Sequence, residues 1–202
     1  MRVVVMARQP VPGACKTRLE PLLGPDGCAA LQAELVRHTV ACCPRGRTLV
    51  ATSGGDLAGL LPPGTPTVAQ EGAHLGERIA HAVGVAGTPA TVIGTDLPSL
   101  RPADLAAAEA ALEGHDVVFG PADDGGWWVC ALRAPAPEVF AIAPALWGGE
   151  EVLDACVAAA RAAGRRVAFI DERTDLDTPA DAARVLEDPA TPAAVAAVLR
   201  GA

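Results

Sequence analysis

Lysine and aromatic residues are both scarce in this sequence. Only 3% of the 202 residues are aromatic, and tyrosine is absent. Lysine occurs once, at Lys16, whereas arginine occurs fifteen times. The position of the single ammonium group therefore calls for an explanation.

Long apolar runs and paired cysteine motifs are also missing. No stretch approaches the roughly 18 to 20 apolar residues that span a membrane, and the first apolar run is too short for a signal peptide. The six cysteines form no C-x-x-C pair, and no histidine stands at metal-ligand spacing. We expect reduced thiols in a cytoplasmic protein without a membrane partner. The cysteines are Cys15, Cys28, Cys42, Cys43, Cys130 and Cys156.

Charge and apolar content limit the class of protein further. The net charge of −8 disfavours nucleic acid and anionic membranes as partners. Half of the residues are hydrophobic, which predicts one globular domain over residues 1–202. The sequence leaves the oligomeric state open, a homodimer included.

Apolar patterns alternate between strand-like and helix-like along the chain. Such alternation predicts an α/β protein with a mostly parallel sheet covered by helices on both faces. In such sheets, ligands bind beyond the carboxyl ends of the strands. Strands are predicted at 2–8, 48–52, 67–70, 90–94, 116–120, 127–132 and 166–170, and helices at 26–43, 75–85, 102–112 and 150–163, followed by two short C-terminal helices.

The loop PVPGACKTRL follows the first predicted strand. Its glycine and its two cations, Lys16 and Arg18, could surround a polyphosphate. It matches neither the Walker loop nor the dinucleotide fingerprint. The alternative is a solvated turn with ordinary surface charges.

The segment GTDLPSL, residues 94–100, follows the predicted strand 90–94. A carboxylate at the end of a buried strand is costly unless a cation or hydrogen bonds meet it, so Asp96 is a candidate Mg²⁺ ligand. The alternative is an N-cap for the helix that follows.

A second acidic segment, DERTDLDTPAD, covers residues 171–181. Asp177 or Thr178 is expected to cap a helix that starts at Pro179. Asp175 and Asp177 fall on one side of an extended chain, so one of them is predicted to be the second metal ligand.

Two further loops are candidates for substrate contact. Gln70 could read a base edge, and Gly76 allows close backbone approach. The loop GPADDGGWW, residues 120–128, concentrates acids, glycines and two of the three tryptophans, which indicates a pocket wall. The alternative is a type I′ hairpin turn whose tryptophans pack in the core. The four histidines form no triad with serine or cysteine, which disfavours nucleophilic catalysis.

Five ordered motifs together resemble a known family. MARQPVPGACKTRL, QEGAHLGERI, VIGTDLPSL, FGPADDGGWWVCAL and DLDTPAD are similar to a bacterial transferase family associated with radical-SAM and selenium-domain gene clusters. More distantly, the chain resembles 2-phospho-L-lactate guanylyltransferase and the molybdenum cofactor nucleotidyltransferases. It departs from the family in having Trp127 after the double glycine, and Trp147-Gly148-Gly149 where the family has W-S-T.

The resemblance implies a single-domain, three-layer αβα Rossmann-like fold of the GT-A nucleotide-diphospho-sugar transferase type, which uses Mg²⁺ or Mn²⁺. The implied reaction is transfer of a nucleoside monophosphate from a nucleoside triphosphate to a small phosphorylated metabolite, with release of pyrophosphate. The alternatives are a glycosyltransferase with a nucleotide-sugar donor and a non-catalytic nucleotide-binding module. The implied nucleotide contacts are Gly13, Lys16, Arg18, Gln70, Gly76 and Thr95; the catalytic residues are Lys16, Arg18 and Asp96; the metal ligands are Asp96 and Asp177; and the acceptor contacts are Asp124, Gly125, Gly126 and Trp127.

Overall fold

The computed structural model describes residues 1–57 and 59–201. Within them, seven strands form one sheet in the order β3-β2-β1-β4-β6-β5-β7. The strands are β1 (Arg2–Arg8), β2 (Thr48–Ser53), β3 (Thr67–Ala69), β4 (Ala90–Ile93), β5 (Val117–Pro121), β6 (Trp127–Leu132) and β7 (Val167–Phe169). The helices are α1 (Glu20–Cys42), α2 (Leu75–Ala86), α3 (Pro102–Ala111), α4 (Val152–Ala162), α5 (Pro179–Glu187) and α6 (Ala193–Arg200).

The predicted α/β architecture is confirmed, with one difference in strand direction. β6 runs antiparallel to both of its neighbours, β4 and β5, while every other strand pair is parallel. The short connection after β5 explains this, because a hairpin can join only antiparallel strands.

The apolar core lies on both faces of the sheet. Along β1, Val3 and Val5 pack with α1 and α3 on one face, whereas Val4 packs with α2 and α4 on the other. This alternation is the period of two that a strand imposes on its side chains. The helices α5 and α6 form a third cluster against the outer side of α1, and so complete a layered α/β structure.

Local sequence explains where several helices begin. α1 contains a break at Gly24, whose φ of 66° is left-handed, and Pro25 starts the straight part of the helix. α5 begins at Pro179 after a reciprocal cap: the Thr178 hydroxyl accepts from the Asp181 N–H, and the Asp181 carboxylate accepts from the Thr178 N–H. The expected start of α5 is therefore confirmed, with Thr178 as its cap.

Candidate active site

The order of the strands creates a crevice between β1 and β4. β2 lies on one side of β1, and β3 lies beyond β2 on that same side. The chain then returns across the sheet, and β4 lies on the other side of β1. β1 and β4 are parallel neighbours, so their carboxyl ends lie at the same edge of the sheet. The loop with Lys16 follows β1, and Asp96 follows β4. Both candidates therefore lie at the point of the sheet where α/β proteins usually bind ligands.

Lys16 and Asp96 are in direct contact across this crevice. The Lys16 Nζ atom lies 2.6 Å from Oδ1 of Asp96 and 2.8 Å from Oδ1 of Asp177. The same ammonium donates to the Leu176 carbonyl oxygen at 2.6 Å. An ammonium has three N–H donors, and three acceptors surround this one. Lys16 thus links two loops that are 160 residues apart in sequence.

Burial and charge act in opposite directions on the Lys16 pKa. Only 5% of its side chain is exposed, and this burial lowers the pKa, but the carboxylates of Asp96 and Asp177 outweigh it and the net pKa is raised. Lys16 is also the only non-glycine residue with a positive φ among residues 1–57 and 59–201, at 48°. The strained backbone and the buried ammonium indicate a position held for its ion pairs.

Asp177 is available to Lys16 because it does not cap α5. Thr178 takes the capping role, and the Asp177 carboxylate turns toward Lys16 and Arg18. Arg18 approaches Asp177 at 3.7 Å, and its side chain is 67% exposed. Asp96 likewise does not cap the helix that follows it, α3. At the start of α3 the Asp104 carboxylate accepts from the Arg101 N–H instead.

Asp175 adds a third carboxylate beside this pair. Burial raises its pKa to about 8, and the nearby charges of Asp96 and Asp124 act in the same direction. Asp175 and Asp177 border the same pocket, as expected from their spacing in an extended segment. Near neutral pH this raised pKa keeps Asp175 largely protonated, so Asp96, Asp124 and Asp177 carry the negative charge at this edge of the sheet.

A polar cavity of about 340 Å³ opens beside Lys16 and is called the nucleotide cavity below. Its volume lies within the range typical of small-molecule sites. Three cations and five amide or hydroxyl side chains face it together with the two carboxylates. The polar lining residues are Arg8, Lys16, Thr17, Arg18, Gln32, Ser53, Gln70, Thr95, Asp96 and Asp177.

Two glutamines hold the wall of this cavity through their amides. The Gln70 side-chain nitrogen donates to the carbonyls of Ala7 at 3.2 Å and Ala51 at 2.9 Å. Since carbonyl oxygens only accept, these two contacts assign the amide nitrogen to that side and leave Oε1 as the other polar atom. Gln32 donates to the Thr95 hydroxyl at 3.1 Å and positions that side chain.

A second pocket of about 260 Å³ adjoins the first and is called the tryptophan pocket below. All three tryptophans of the chain, Trp127, Trp128 and Trp147, border it. Trp127 also packs against Phe119 and Phe140, with ring centroids 6.1 and 6.2 Å away. Trp128 is 4% exposed and donates to the Asp171 carbonyl, so it belongs to the core as well. The two pockets share five residues: Met6, Leu75, Gly94, Asp96 and Asp177.

The hairpin loop between β5 and β6 forms one edge of the tryptophan pocket. Gly125 has a φ of 86°, and a Cβ there would lie 2.1 Å from the Glu150 carbonyl oxygen. The Asp124 carboxylate accepts from the Gly126 N–H at 2.8 Å. Asp124 itself does not have a positive φ, so the loop is not the type I′ turn considered from the sequence. Glycine at position 125 allows the loop to close against the start of α4.

Buried thiols leave the described site without a cysteine nucleophile. All six cysteines are free, and burial raises the pKa of each thiol, to about 12 for Cys43 and about 11 for Cys156. A thiol is a weak nucleophile until it loses its proton. The sequence-based expectation that the chain does not use nucleophilic catalysis stays a prediction.

Comparison with known proteins identifies the family. Residues 28–146 match the model of a family described as "Uncharacterized protein conserved in bacteria (DUF2064)". The chain belongs to this family. No curated protein matches the sequence.

Solved structures show how widely the fold of this DUF2064 chain is shared. A protein from Desulfovibrio desulfuricans G20, named provisionally as a nucleotide-diphospho-sugar transferase, is 26% identical over 100% of this chain and 95% of its own, with a TM-score of 0.86. CMP:2-keto-3-deoxy-manno-octonic acid synthetase, solved with CTP, is 15% identical over 91% of this chain and 95% of its own, with a TM-score of 0.55. Rv0371c from Mycobacterium tuberculosis H37Rv, solved with manganese, is 18% identical over 93% of this chain and 100% of its own, with a TM-score of 0.53.

The expected fold of the nucleotide-diphospho-sugar transferase type is therefore confirmed. The expected link with radical-SAM and selenium-domain gene clusters stays a prediction. In the described residues, no helix has both the length and the apolar character needed to cross a bilayer.

The donor atoms at the crevice fit a divalent cation held jointly with a substrate. In the described residues, no group of three or more acidic, cysteine or histidine side chains closes on one metal position. Mg²⁺, however, is commonly held by one or two carboxylates together with substrate phosphates. Asp96 and Asp177 each use Oδ1 for Lys16. Oδ2 of Asp96 is left for a cation, whereas Oδ2 of Asp177 lies 3.7 Å from the exposed Arg18 guanidinium and is open to a cation once Arg18 moves away.

Three of the glycines named from the sequence, Gly13, Gly76 and Gly125, lie outside the lining of both pockets. Gly13 is in an exposed turn, and a Cβ there would meet nothing within 4 Å. Gly76 is buried at the start of α2, where a Cβ would lie 2.2 Å from the Phe140 carbonyl oxygen and 2.7 Å from the Trp147 ring. The geometry explains Gly76 by packing, and contact of Gly13 or Gly76 with a nucleotide stays a prediction.

Three lining residues, Gln32, Ser53 and Trp147, were not among the site residues named from the sequence. Gln32 is polar, yet it lies on the buried side of α1 and only 3% of it is exposed. A polar side chain at an apolar position of a helix pattern is a signal that could have identified it. Ser53 ends β2 and could have been found by the rule that ligands bind at strand ends.

Proposed function

We propose that this chain is a divalent-metal-dependent nucleotidyltransferase. It would take a nucleoside triphosphate into the nucleotide cavity, transfer the nucleoside monophosphate to an acceptor in the tryptophan pocket, and release pyrophosphate. The observation that carries the proposal is the meeting of Asp96, Asp177 and Lys16 between the two pockets. A structural neighbour that holds CTP and another that holds manganese support it.

The residues of the cavity have distinct tasks in this reaction. Asp96 and Asp177 would hold Mg²⁺ or Mn²⁺, which supplies positive charge to the phosphate oxygens when bound. Lys16 keeps the two carboxylates in place and offsets their repulsion. Arg18 is exposed at the rim and can move onto phosphate oxygens, and Arg8 faces the same cavity. Direct contact of Lys16 with phosphate stays a prediction, because carboxylates and a carbonyl occupy its donors.

The bonds that change are few. An oxygen of the acceptor forms a bond to the α-phosphorus, and the bond from that phosphorus to the bridging oxygen of the pyrophosphate breaks. Positioning and charge neutralisation supply most of the catalysis in such transfers, and no side-chain nucleophile is required. The shared wall of the two pockets would bring donor and acceptor together at Asp96. The acceptor expected from the sequence is a small phosphorylated metabolite.

Glycosyl transfer from a nucleotide sugar is the second candidate, and one observation favours it. Lys16 is neutralised by two carboxylates, which leaves Arg8 and Arg18 as the other cations that line the described cavity. Two guanidinium groups suit a diphosphate as well as a triphosphate. A non-catalytic nucleotide-binding module would bind the same ligands without turnover.

One set of incubations separates these functions. The protein is mixed with Mn²⁺ and either each nucleoside triphosphate or a set of nucleotide sugars, together with a panel of hydroxyl and phosphate acceptors. Pyrophosphate release supports nucleotidyl transfer, nucleoside diphosphate release from sugars supports glycosyl transfer, and binding without either product supports the module. Asp96→Asn should lower turnover by about a hundredfold or more. The control is Asp188→Asn, which keeps the hydrogen bond to the Ala190 N–H outside the cavity.

A further inference from the structure

The tryptophan pocket and the nucleotide cavity differ in charge. The nucleotide cavity is lined by Arg8, Lys16 and Arg18. Among the described residues that line the tryptophan pocket, there is no lysine, arginine or histidine. Four aspartates border it instead: Asp96, Asp124 and Asp177 as carboxylates, and Asp175, whose raised pKa keeps it largely protonated near neutral pH. Any group that enters this pocket is surrounded by acceptors of hydrogen bonds.

One of these carboxylates, that of Asp124, has no cation to offset it. Asp96 and Asp177 are paired with Lys16, whereas Asp124 and Asp175 form no salt bridge within the part of the chain that the structure describes. Asp124 uses one oxygen for the Gly126 N–H, and its other oxygen remains available. A phosphate or carboxylate placed beside Asp124 would meet repulsion that no lysine, arginine or histidine of the described pocket lining compensates. A hydroxyl group would donate to these oxygens.

The rest of the lining is flat and apolar. Besides the three indoles, Ile79, Ile93, Leu97 and Val152 contribute aliphatic surface. The Trp147 indole N–H is buried against Gly76 at the start of α2 and has no partner in the described structure. Aromatic faces with hydrogen-bond acceptors at their edge suit a ring that has one apolar face and hydroxyl groups around it.

We propose that the tryptophan pocket binds an uncharged, hydroxyl-bearing ring compound, such as a sugar, and that a hydroxyl group rather than a phosphate is the attacking group. This replaces the phosphorylated acceptor expected from the sequence. The inference rests on the proposed function only where it calls this ligand the acceptor, because binding of the ring compound itself does not require nucleotidyl transfer. In the transfer, the hydroxyl oxygen bonds to the α-phosphorus, its proton passes to a carboxylate of the pocket or to water, and pyrophosphate leaves.

Intrinsic fluorescence gives a direct measurement of this pocket. The chain has three tryptophans, all at the pocket, and no tyrosine, so its emission reports on that site. The protein is titrated with two matched pairs: glucose and glucose 6-phosphate, and phenyl β-glucoside and its 6-phosphate. The neutral member of each pair should change the emission and bind about tenfold or more tightly than its phosphate. Equal or tighter binding of the phosphates overturns the inference, and so does the absence of any response to the neutral compounds.

A gain of binding tests the charge argument separately. Gly149 borders the pocket without a positive φ, and a Cβ there would come no closer than 3.4 Å to the Leu146 carbonyl oxygen. Gly149→Lys should raise the affinity for the 6-phosphates about tenfold relative to that for the neutral compounds. Gly84→Lys is the matched control, since Gly84 is an exposed helix position with nothing within 4 Å of a Cβ. Unchanged phosphate affinity in Gly149→Lys would count against the inference.

Failure of this inference and failure of the proposed function give different results. Binding of nucleoside triphosphate with Mn²⁺ is measured by calorimetry without any acceptor. If triphosphate binds and the neutral ring compounds do not, the acceptor class is wrong and the proposed function stands. If the ring compounds bind and no triphosphate does, the pocket assignment stands and the nucleotidyltransferase proposal fails.

Discussion

The Lys16 ammonium lies 2.6 Å from the Asp96 carboxylate, although 80 positions separate them in the sequence. One residue follows β1 and the other follows β4, so their contact depends on the parallel pairing of these two strands. A buried cation that joins two carboxylates at a sheet edge is costly to desolvate and is retained only where its partners are well placed. The pair therefore defines the candidate site more directly than any single motif.

Loss of the Lys16 charge should make the fold depend on metal. Lys16→Met keeps the length of the side chain but leaves Asp96 and Asp177 without their cation. We expect a loss of about 2 kcal/mol or more in the free energy of unfolding, between the values for exposed and buried ion pairs. Mn²⁺ should raise the melting temperature of this variant more than that of the unchanged protein, because a cation that binds the native state stabilises it.

The control for this prediction is Arg37→Met, which removes an exposed ion pair with Glu34 on α1. Its melting temperature should change little and should show no added response to Mn²⁺. The prediction is wrong if Mn²⁺ raises the melting temperatures of Lys16→Met and the unchanged protein by the same amount in thermal unfolding.

Gln70→Glu should weaken both the fold and nucleotide binding. The change puts a carboxylate oxygen where an amide nitrogen now donates to the carbonyls of Ala7 and Ala51. Two hydrogen bonds are lost and a carboxylate oxygen faces two carbonyl oxygens instead, which should cost about 1–3 kcal/mol. Urea unfolding and calorimetric titration with nucleoside triphosphate measure the two effects. Gln9→Glu, which affects a single 3.3 Å hydrogen bond to the Asp56 carbonyl, should cost less, and equal losses in the two variants would contradict this reading of Gln70.

Most of the architecture could be predicted from the sequence because it depends on local patterns. β1 and β6 begin and end where alternation and apolar runs predicted, and Pro179 marks the start of α5. The direction of β6 was not predicted, since a strand pattern does not encode which neighbour it pairs with. The approach of Lys16 to Asp96 followed from the rule that ligand sites form at strand ends.

The partners of each side chain were harder to foresee than its position. The sequence suggested phosphate for Lys16, but the structure surrounds it with carboxylates that come from segments after β4 and β7. Similarly, Gly76 resembled a ligand-approach glycine, yet it makes room for Phe140 and Trp147. Contacts of this kind arise from tertiary packing, which one sequence does not display.

Gly76→Ala should disturb the packing of the tryptophan pocket, although Gly76 is not part of the pocket lining. The added methyl group would lie 2.2 Å from the Phe140 carbonyl oxygen and would push against Trp147, so we expect a loss of about 1–3 kcal/mol from overpacking. Tryptophan emission should shift at the same time. Gly84→Ala in the same helix meets nothing within 4 Å and should stabilise by about 0.5–1 kcal/mol. If both variants change stability in the same direction in urea unfolding, Gly76 does not have the proposed packing role.

Asp116 should contribute stability that acid removes. Its hydrogen bonds with Arg166 lower the pKa of this carboxyl to about 2, and they tie the start of β5 to β7. An unfolded aspartate has a pKa of about 3.9. Because the folded pKa is the lower one, the contribution of Asp116 to stability is complete above about pH 4 and is lost as the pH falls toward 2.

Asp116→Asn should therefore be less stable than the unchanged protein at pH 7, and the difference in stability should narrow at pH 3 and nearly vanish near pH 2. Denaturant midpoints at these three pH values measure this, with Glu113→Gln, an exposed carboxylate outside any described salt bridge, as control. A difference for Asp116→Asn that stays constant across this range would show that the Asp116–Arg166 pair does not carry the expected proton linkage.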